Sequence, residues 1–146
     1  MAATRRDLRA LRALLVLGVG LLCAGPLAAQ DPRGSLVQEA ARTWLAATDR
    51  GAAVQSWKSA GKKFQDAMSV DRWAKSLKQV RTPLGELSQR TAIATQFRKT
   101  FPGAPDGDYA IVLFRTNFAK KRDGSETVTL EHEVDGAWRV IGYSIR

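Results

Sequence analysis

Cysteine and histidine are nearly missing from this chain. Its 146 residues include one of each, Cys23 and His132. A disulfide needs two thiols, and a tetrahedral zinc site draws its several ligands mostly from these two residue types. Acid is also scarce: 14 Asp and Glu stand against 23 Lys and Arg, for a net charge of +9. No Gly-x-Ser-x-Gly setting surrounds a serine, so a hydrolase-type nucleophile elbow is excluded. The glycines at Gly103 and Gly107 are flanked by Pro102 and Pro105 and lack a phosphate-binding lysine, which excludes a P-loop. Asp106 and Asp108 bracket Gly107 but supply too few oxygens for calcium, and they read as a turn.

Long apolar runs are absent except at the start. Arg5, Arg6, Arg9 and Arg12 precede an uncharged run from Ala13 to Ala24, followed by Gly25-Pro26 and the small residues Ala28 and Ala29. This is the pattern of a signal peptide over residues 1–29. The alternative is an uncleaved anchor, although the run is short for a bilayer span of roughly 20 residues. Cleavage would remove four Arg, one Asp and Cys23, leaving a mature charge of +6 and no thiol. A short linker, 30–34, would lead into a single domain at 35–146, a size that supports its own core. With 45% hydrophobic residues and four Trp, that domain is folded rather than disordered.

Helical spacing dominates its first half. Ser35 and Gln38 have the spacing of a capping box. Leu36, Val37, Ala40, Ala41, Trp44, Leu45, Ala47 and Thr48 then share one half of a helix that Gly51 would end. A short helix is expected from Ala52 to about Ser59, and a turn or loop over Gly61–Met68. Ser69 caps a further helix from Val70 to about Arg81, which Pro83 stops. Its apolar stripe is Val70, Trp73, Ala74, Leu77 and Val80.

From Leu87 the period approaches two. Tyr109–Phe118 is apolar on both sides and reads as a central strand covered, at least in part, on both faces. In Thr127–Val134 the residues Val128, Leu130, His132 and Val134 are expected to face inward. Asp135-Gly136 signals a two-residue hairpin before the last strand, Ala137–Ile145. Lys120–Ser125 reads as a turn, and Gly142 marks a bend or bulge. The order implies an α+β fold, with about three N-terminal helices packed on a curved, cone-like, four-stranded antiparallel sheet.

Several segments together resemble an exported bacterial family, domain of unknown function 4019. They are Trp44-Leu45, Ser56-Trp57, Arg81-Thr82-Pro83-Leu84-Gly85 with Arg90, Pro102 to Tyr109, Glu126-Thr127-Val128-Thr129-Leu130, and Trp138 to Tyr143. The last two segments also resemble the closing strands of nuclear-transport-factor-2-like and cystatin-like cone domains. The resemblance implies export and that architecture. It brings no catalytic residues.

Candidate ligand-binding residues are few. His132 is either a core-edge histidine held by a hydrogen bond or a general base needing a partner. Arg81, Arg90 and Arg115 could bind a carboxylate or phosphate, or serve as a cap, a strand end and a snorkelling surface residue respectively. Trp57 is a candidate cavity wall, and Tyr143 of the last strand is counted with these residues. A basic stretch carries Lys58, Lys62, Lys63, Arg72, Lys75, Lys78 and Arg81 against Asp66 and Asp71. It is either a solvated helix face or a surface for anionic lipid or polysaccharide. Nothing points to a cofactor, a metal or nucleic acid.

The leading expectation is therefore an exported, non-enzymatic binding or interaction module with a cavity between helices and sheet. The first alternative is an enzyme using that cavity, with His132 as base. The second is a peripheral envelope-binding protein acting through the basic stretch.

Overall fold

The computed structural model describes residues 31–146, so the expected signal peptide and Cys23 lie outside the described residues. Four helices come first: α1 (Arg33–Asp49), α2 (Ala53–Ser59), α3 (Lys62–Ala67) and α4 (Val70–Arg81). A single 3-10 turn (Thr82–Leu84) then leads into β1 (Leu87–Arg98), β2 (Tyr109–Phe118), β3 (Lys121–His132) and β4 (Trp138–Ile145). The strands form one open antiparallel sheet in the order β1-β2-β3-β4. This is the expected α+β meander, with one more helix.

Helix ends follow local chemistry. Helix α1 starts at Arg33, two residues before the expected capping box, because the Asp31 carboxylate accepts the Arg33 backbone N–H at 2.9 Å. Gln38 does not reach back to cap; its amide donates to Thr95 on β1 instead. At the other end Gly51 adopts φ +68. The Ala52 N–H bonds to Ala47 O and the Gly51 N–H to Thr48 O, the paired bonds of a Schellman motif. Ser69 accepts the Arg72 N–H and caps α4 as its sequence foretold. The segment read as a turn or loop over Gly61–Met68 contains α3. It lies along β4, where the Gly61 N–H bonds to Val140 O at 2.8 Å.

The sheet departs from the sequence reading in two places. First, Lys120–Ser125 is not a turn; β3 begins at Lys121. Gly124 pairs with Thr116, and a Cβ there would approach Thr116 O to 3.1 Å. The glycine therefore marks close backbone approach within a strand. Second, β3 ends at His132, and the hairpin loop has three residues. Glu133 N–H bonds to Ala137 O, Gly136 N–H to Glu133 O, and Gly136 sits at φ +83. Val134 is thus at the loop tip, fully exposed at 109%, and His132 is exposed too. On β2 the expected cover of both faces, at least in part, is present, since Tyr109 of the outer row is buried. Val112, Phe114 and Phe118 are buried, whereas Ile111 and Leu113 are only half-buried and Arg115 is exposed. Gly142 does mark irregularity: Ile141 is an extra residue between Val140 and Gly142, opposite Leu130 and Thr129.

The core lies between the inner face of the sheet and the helices. Val37, Ala41, Trp44 and Leu45 of α1 meet Phe64 of α3, Trp73 and Leu77 of α4, and Val112, Phe114, Val128, Leu130 and Val140 of the sheet. Full burial of each large apolar side chain contributes roughly 1.5–3 kcal/mol. At the centre Trp44 packs on Trp73 with ring centroids 5.6 Å apart, and Phe64 and Tyr143 pack edge-on against both. This aromatic cluster packs the middle of the space between helices and sheet.

Candidate functional site

The same packing brings a group of charges indoors. Asp49 is the last residue of α1, one turn beyond Leu45, and Arg81 is the last of α4, one turn beyond Leu77. A residue that extends a buried stripe by one turn is carried inward with it. Arg90 on β1 pairs with Thr116 on β2, next to the buried Phe114 row. Glu126 precedes Val128 and Leu130 on the inner face of β3, and Tyr143 of β4 faces Val128.

These side chains form a closed network. The Glu126 carboxylate has no exposed surface. It accepts Arg90 Nε at 2.7 Å, Thr116 Oγ1 at 2.6 Å, Tyr143 OH at 2.7 Å and Arg81 at 3.3 Å. Asp49 accepts both terminal nitrogens of Arg90, at 2.7 and 2.9 Å, and a further bond from Arg81. Arg81 also stacks on Phe118, 4.5 Å from the ring centre. Two guanidiniums and two carboxylates cancel, and no buried side-chain nitrogen or oxygen among the described residues lacks a partner.

The electrostatics follow from this pairing. Burial alone would lower the Arg90 guanidinium, but the bonds from Asp49 and Glu126 outweigh it and hold Arg90 above its ordinary value. Burial first, then the Glu126 charge beside it, push the Tyr143 phenol well above its usual range. Tyr143 is therefore a fixed donor. A carboxylate whose lone pairs are all engaged by donors offers no free base, and guanidiniums engaged on both sides offer little to an incoming anion.

Of the residues singled out from the sequence, Arg81, Arg90 and Tyr143 come together here, and the other three do not. Trp57 is half-buried beside α4 and donates its indole N–H to Met68 O at 2.7 Å, bridging the ends of α2 and α3. It is structural. Arg115 points from the sheet's outer side, since it pairs with Ser125 and Thr91 one residue out of phase with Phe114 and Thr116. His132 stays in the row of Leu130, opposite Trp138, but at the exposed end of the strand. Its ring lies 4.9 Å from Trp138, with Nε2 2.9 Å from Gly136 O, because the strand ends there and the chain turns away. Sequence reasoning missed Asp49, Glu126 and Thr116. One signal was available: Glu126 heads the alternating row Glu126-Val128-Leu130, which places a carboxylate on the buried face.

Among the described residues, a cleft of about 610 Å³ lies between α1 and β1, lined by Gln38, Ala92, Thr95 and Phe97 among others. A second, of about 480 Å³, is lined by Asp49, Gly51, Leu77, Lys78, Arg81 and Glu86 among others. Another, of about 320 Å³, lies between α4 and the end of β4. Among the described residues, no group of three or more His, Cys, Asp or Glu is placed to hold a metal ion. In the basic stretch, Lys62 pairs with Asp66 and Lys63 with Glu131. Lys58, Arg72, Lys75 and Lys78 are exposed and make no ion pair within the described residues.

With this fold and network in place, the chain's relations are clear at the level of family. The sequence profile described as "Protein of unknown function (DUF4019)" matches residues 40–143. The chain belongs to that family, whose span includes Asp49, Arg81, Arg90, Thr116, Glu126 and Tyr143. No curated protein and no solved structure matches it.

Proposed function

We propose that this chain is an exported interaction module that works through its outer surface, docking a basic face of α2 and α4 on an anionic component of the cell envelope. Export rests on the N-terminal pattern of Arg5, Arg6, Arg9 and Arg12, the uncharged run from Ala13, and the small residues before Gln30. The observation that carries the docking reading is the division of charge. Inside, the two arginines are matched by two carboxylates. Outside, Lys58, Arg72, Lys75 and Lys78 stay unmatched among the described residues. Lys58 borders the depression lined by Gly51 and Ala53, and Lys78 borders the next one, which the same two residues also line.

The packed middle of the interior favours an outward-acting module over one with an enclosed ligand, and the exposed setting of His132 gives a general base no pocket in which to act. Each such cation near an anionic surface contributes about 1 kcal/mol, within a Debye length of roughly 10 Å at 0.1 M salt. The test is co-sedimentation with vesicles containing phosphatidylglycerol, compared with phosphatidylcholine alone. Binding should need the anionic lipid and fade with salt, and the triple variant Lys58→Glu, Lys75→Glu, Lys78→Glu should weaken it on the order of 100-fold. Equal binding to neutral vesicles, or an unaffected triple variant, would sink the proposal.

A further inference from the structure

The two edges of the sheet are treated differently. On β1 the ladder is broken by register shifts at Ser88 and Ile93, and α1 reaches over it: Gln38 bonds Thr95 and Arg42 donates to Arg90 O. Bulges and covering side chains are how proteins blunt an edge strand. The first half of β4 is likewise taken, by the bond from Gly61 to Val140 O.

The second half of β4 has no such cover. Arg146 and Ser125 exchange both backbone bonds, each at 2.9 Å. Antiparallel alternation then turns the amide groups of Ser144 and Gly142 towards β3, and those of Tyr143 and Ile145 away from it. Among the described residues, nothing bonds to those outward N–H and C=O groups. Beside them lies the 320 Å³ cleft, walled by Met68, Trp73, Leu77, Val80, Tyr143 and Ile145. Val80 is 40% exposed although its neighbours on the α4 stripe are buried. The exposed cations Arg72 and Arg146 adjoin the wall residues Trp73 and Ile145, and Asp71 and Lys75 both fall on the far side of α4 by helical spacing.

We propose that the Tyr143–Ile145 edge accepts an extended peptide strand from a partner protein, with apolar residues entering the α4–β4 cleft and acidic residues flanking them. Backbone groups two residues apart would supply the ladder bonds and the cleft the side-chain selectivity, the logic of strand addition. Charge decides the occupant. A second copy paired edge to edge would add its own Arg72 and Arg146 to an already cationic strip, whereas an acidic strand is complementary. This site uses the β4 edge, so it stands or falls separately from the Lys58–Lys78 lipid face.

The experiment is fluorescence anisotropy with the full-length chain and a labelled peptide, Glu-Val-Thr-Val-Thr-Val-Glu. Methylation of alternate peptide nitrogens should weaken binding at least about tenfold, because the ladder is lost. Replacing both terminal Glu by Lys should also weaken it, more so at low salt. On the protein, Val80→Glu should weaken binding by a similar factor while melting normally, since Val80 is exposed. Ile145→Pro removes an N–H that faces away from β3 together with one wall of the cleft, and it should weaken binding too. The proposal is overturned if the acidic peptide fails to bind at about 1 mM, or if the methylated peptide binds equally well. It is also overturned if Val80→Glu binds normally, or if sedimentation shows a dimer that Val80→Glu abolishes, which would make a second copy the occupant.

Discussion

Arg90 and Glu126 meet on the inner face of the sheet, Nε to Oε2 at 2.7 Å, with the carboxylate fully buried and the guanidinium side chain 7% exposed. They come from β1 and β3, strands that are not neighbours in the sheet. The β2 residue between them, Thr116, adds its own hydroxyl to the same carboxylate oxygen. Through Asp49 and Arg81 the network continues into the ends of α1 and α4. It ties both helix ends to all four strands, with Tyr143 supplying the link to β4. Such a closed set of charges specifies one docking of helices on sheet more than it adds net stability, because the desolvation cost offsets much of the attraction.

Removing one member should therefore be severe. Glu126→Gln leaves two buried guanidiniums facing one carboxylate, and it should cost about 3–5 kcal/mol in urea unfolding. Arg115→Ala, on the exposed side of the sheet, should stay within about 0.5 kcal/mol of the parent. A Glu126→Gln loss below about 1 kcal/mol would show that the network tolerates an unpaired charge.

Tyr143→Phe deletes a donor to a buried carboxylate and should cost about 1–3 kcal/mol. It should also change the alkaline limb of stability. A phenol raised in the folded state contributes stability that is complete below its unfolded value of 10.0 and is lost as pH climbs above that value. Thermal melts of the parent should thus fall more steeply above pH 10 than those of Tyr143→Phe. Parallel curves would contradict the buried hydrogen bond.

The β3–β4 hairpin carries its own acid-sensitive contact. The Arg139 guanidinium, helped by the Ala137 N–H, holds the exposed Asp135 carboxyl down to about 2, from an ordinary 3.8. Its contribution is complete above 3.8 and disappears as pH falls through about 2. Carboxyl-carbon NMR titration should report the depressed value, and Arg139→Ala should return Asp135 towards the ordinary one.

Ser56 serves two tryptophans. Its hydroxyl accepts Trp73 Nε1 at 2.9 Å and its carbonyl accepts Trp44 Nε1 at 2.8 Å. Ser56→Ala strands the buried Trp73 N–H and should cost about 1–3 kcal/mol, whereas Ser59→Ala, on the exposed end of α2, should be near neutral.

Much of the scaffold was readable along the chain. Gly51 and Ser69 each determine a helix end through backbone conformation or a single side-chain oxygen, which are local effects. Val37, Ala41, Trp44 and Leu45 announce the buried side of α1 by spacing alone. Where the reading failed, the deciding contact was mostly distant. Gln38 left its capping position and found Thr95 across 57 residues, although the start of α1 was set locally by Asp31, two residues before Arg33. Val134 continues the alternation of Val128 and Leu130 but projects into solvent, and His132 lies at the exposed end of the row against Trp138, because alternation cannot say where a partner strand ends.

The sequence by itself determined the order of the elements, the antiparallel meander and most of the helix boundaries, since these rest on period and on capping within a few residues. It also determined that Arg81 and Arg90 need an explanation. Only the tertiary structure decided what that explanation is. Asp49 reads as a surface residue at the end of a helix, and Glu126 as one acid in a strand. Each becomes the counter-ion of an arginine through the meeting of segments 32 to 45 residues apart. The tertiary structure likewise decided that the middle of the concave face is packed by Trp44, Phe64, Trp73 and Tyr143. Whether rings from three helices and a strand leave a void depends on how they interdigitate, and that is a property of the packed layers alone.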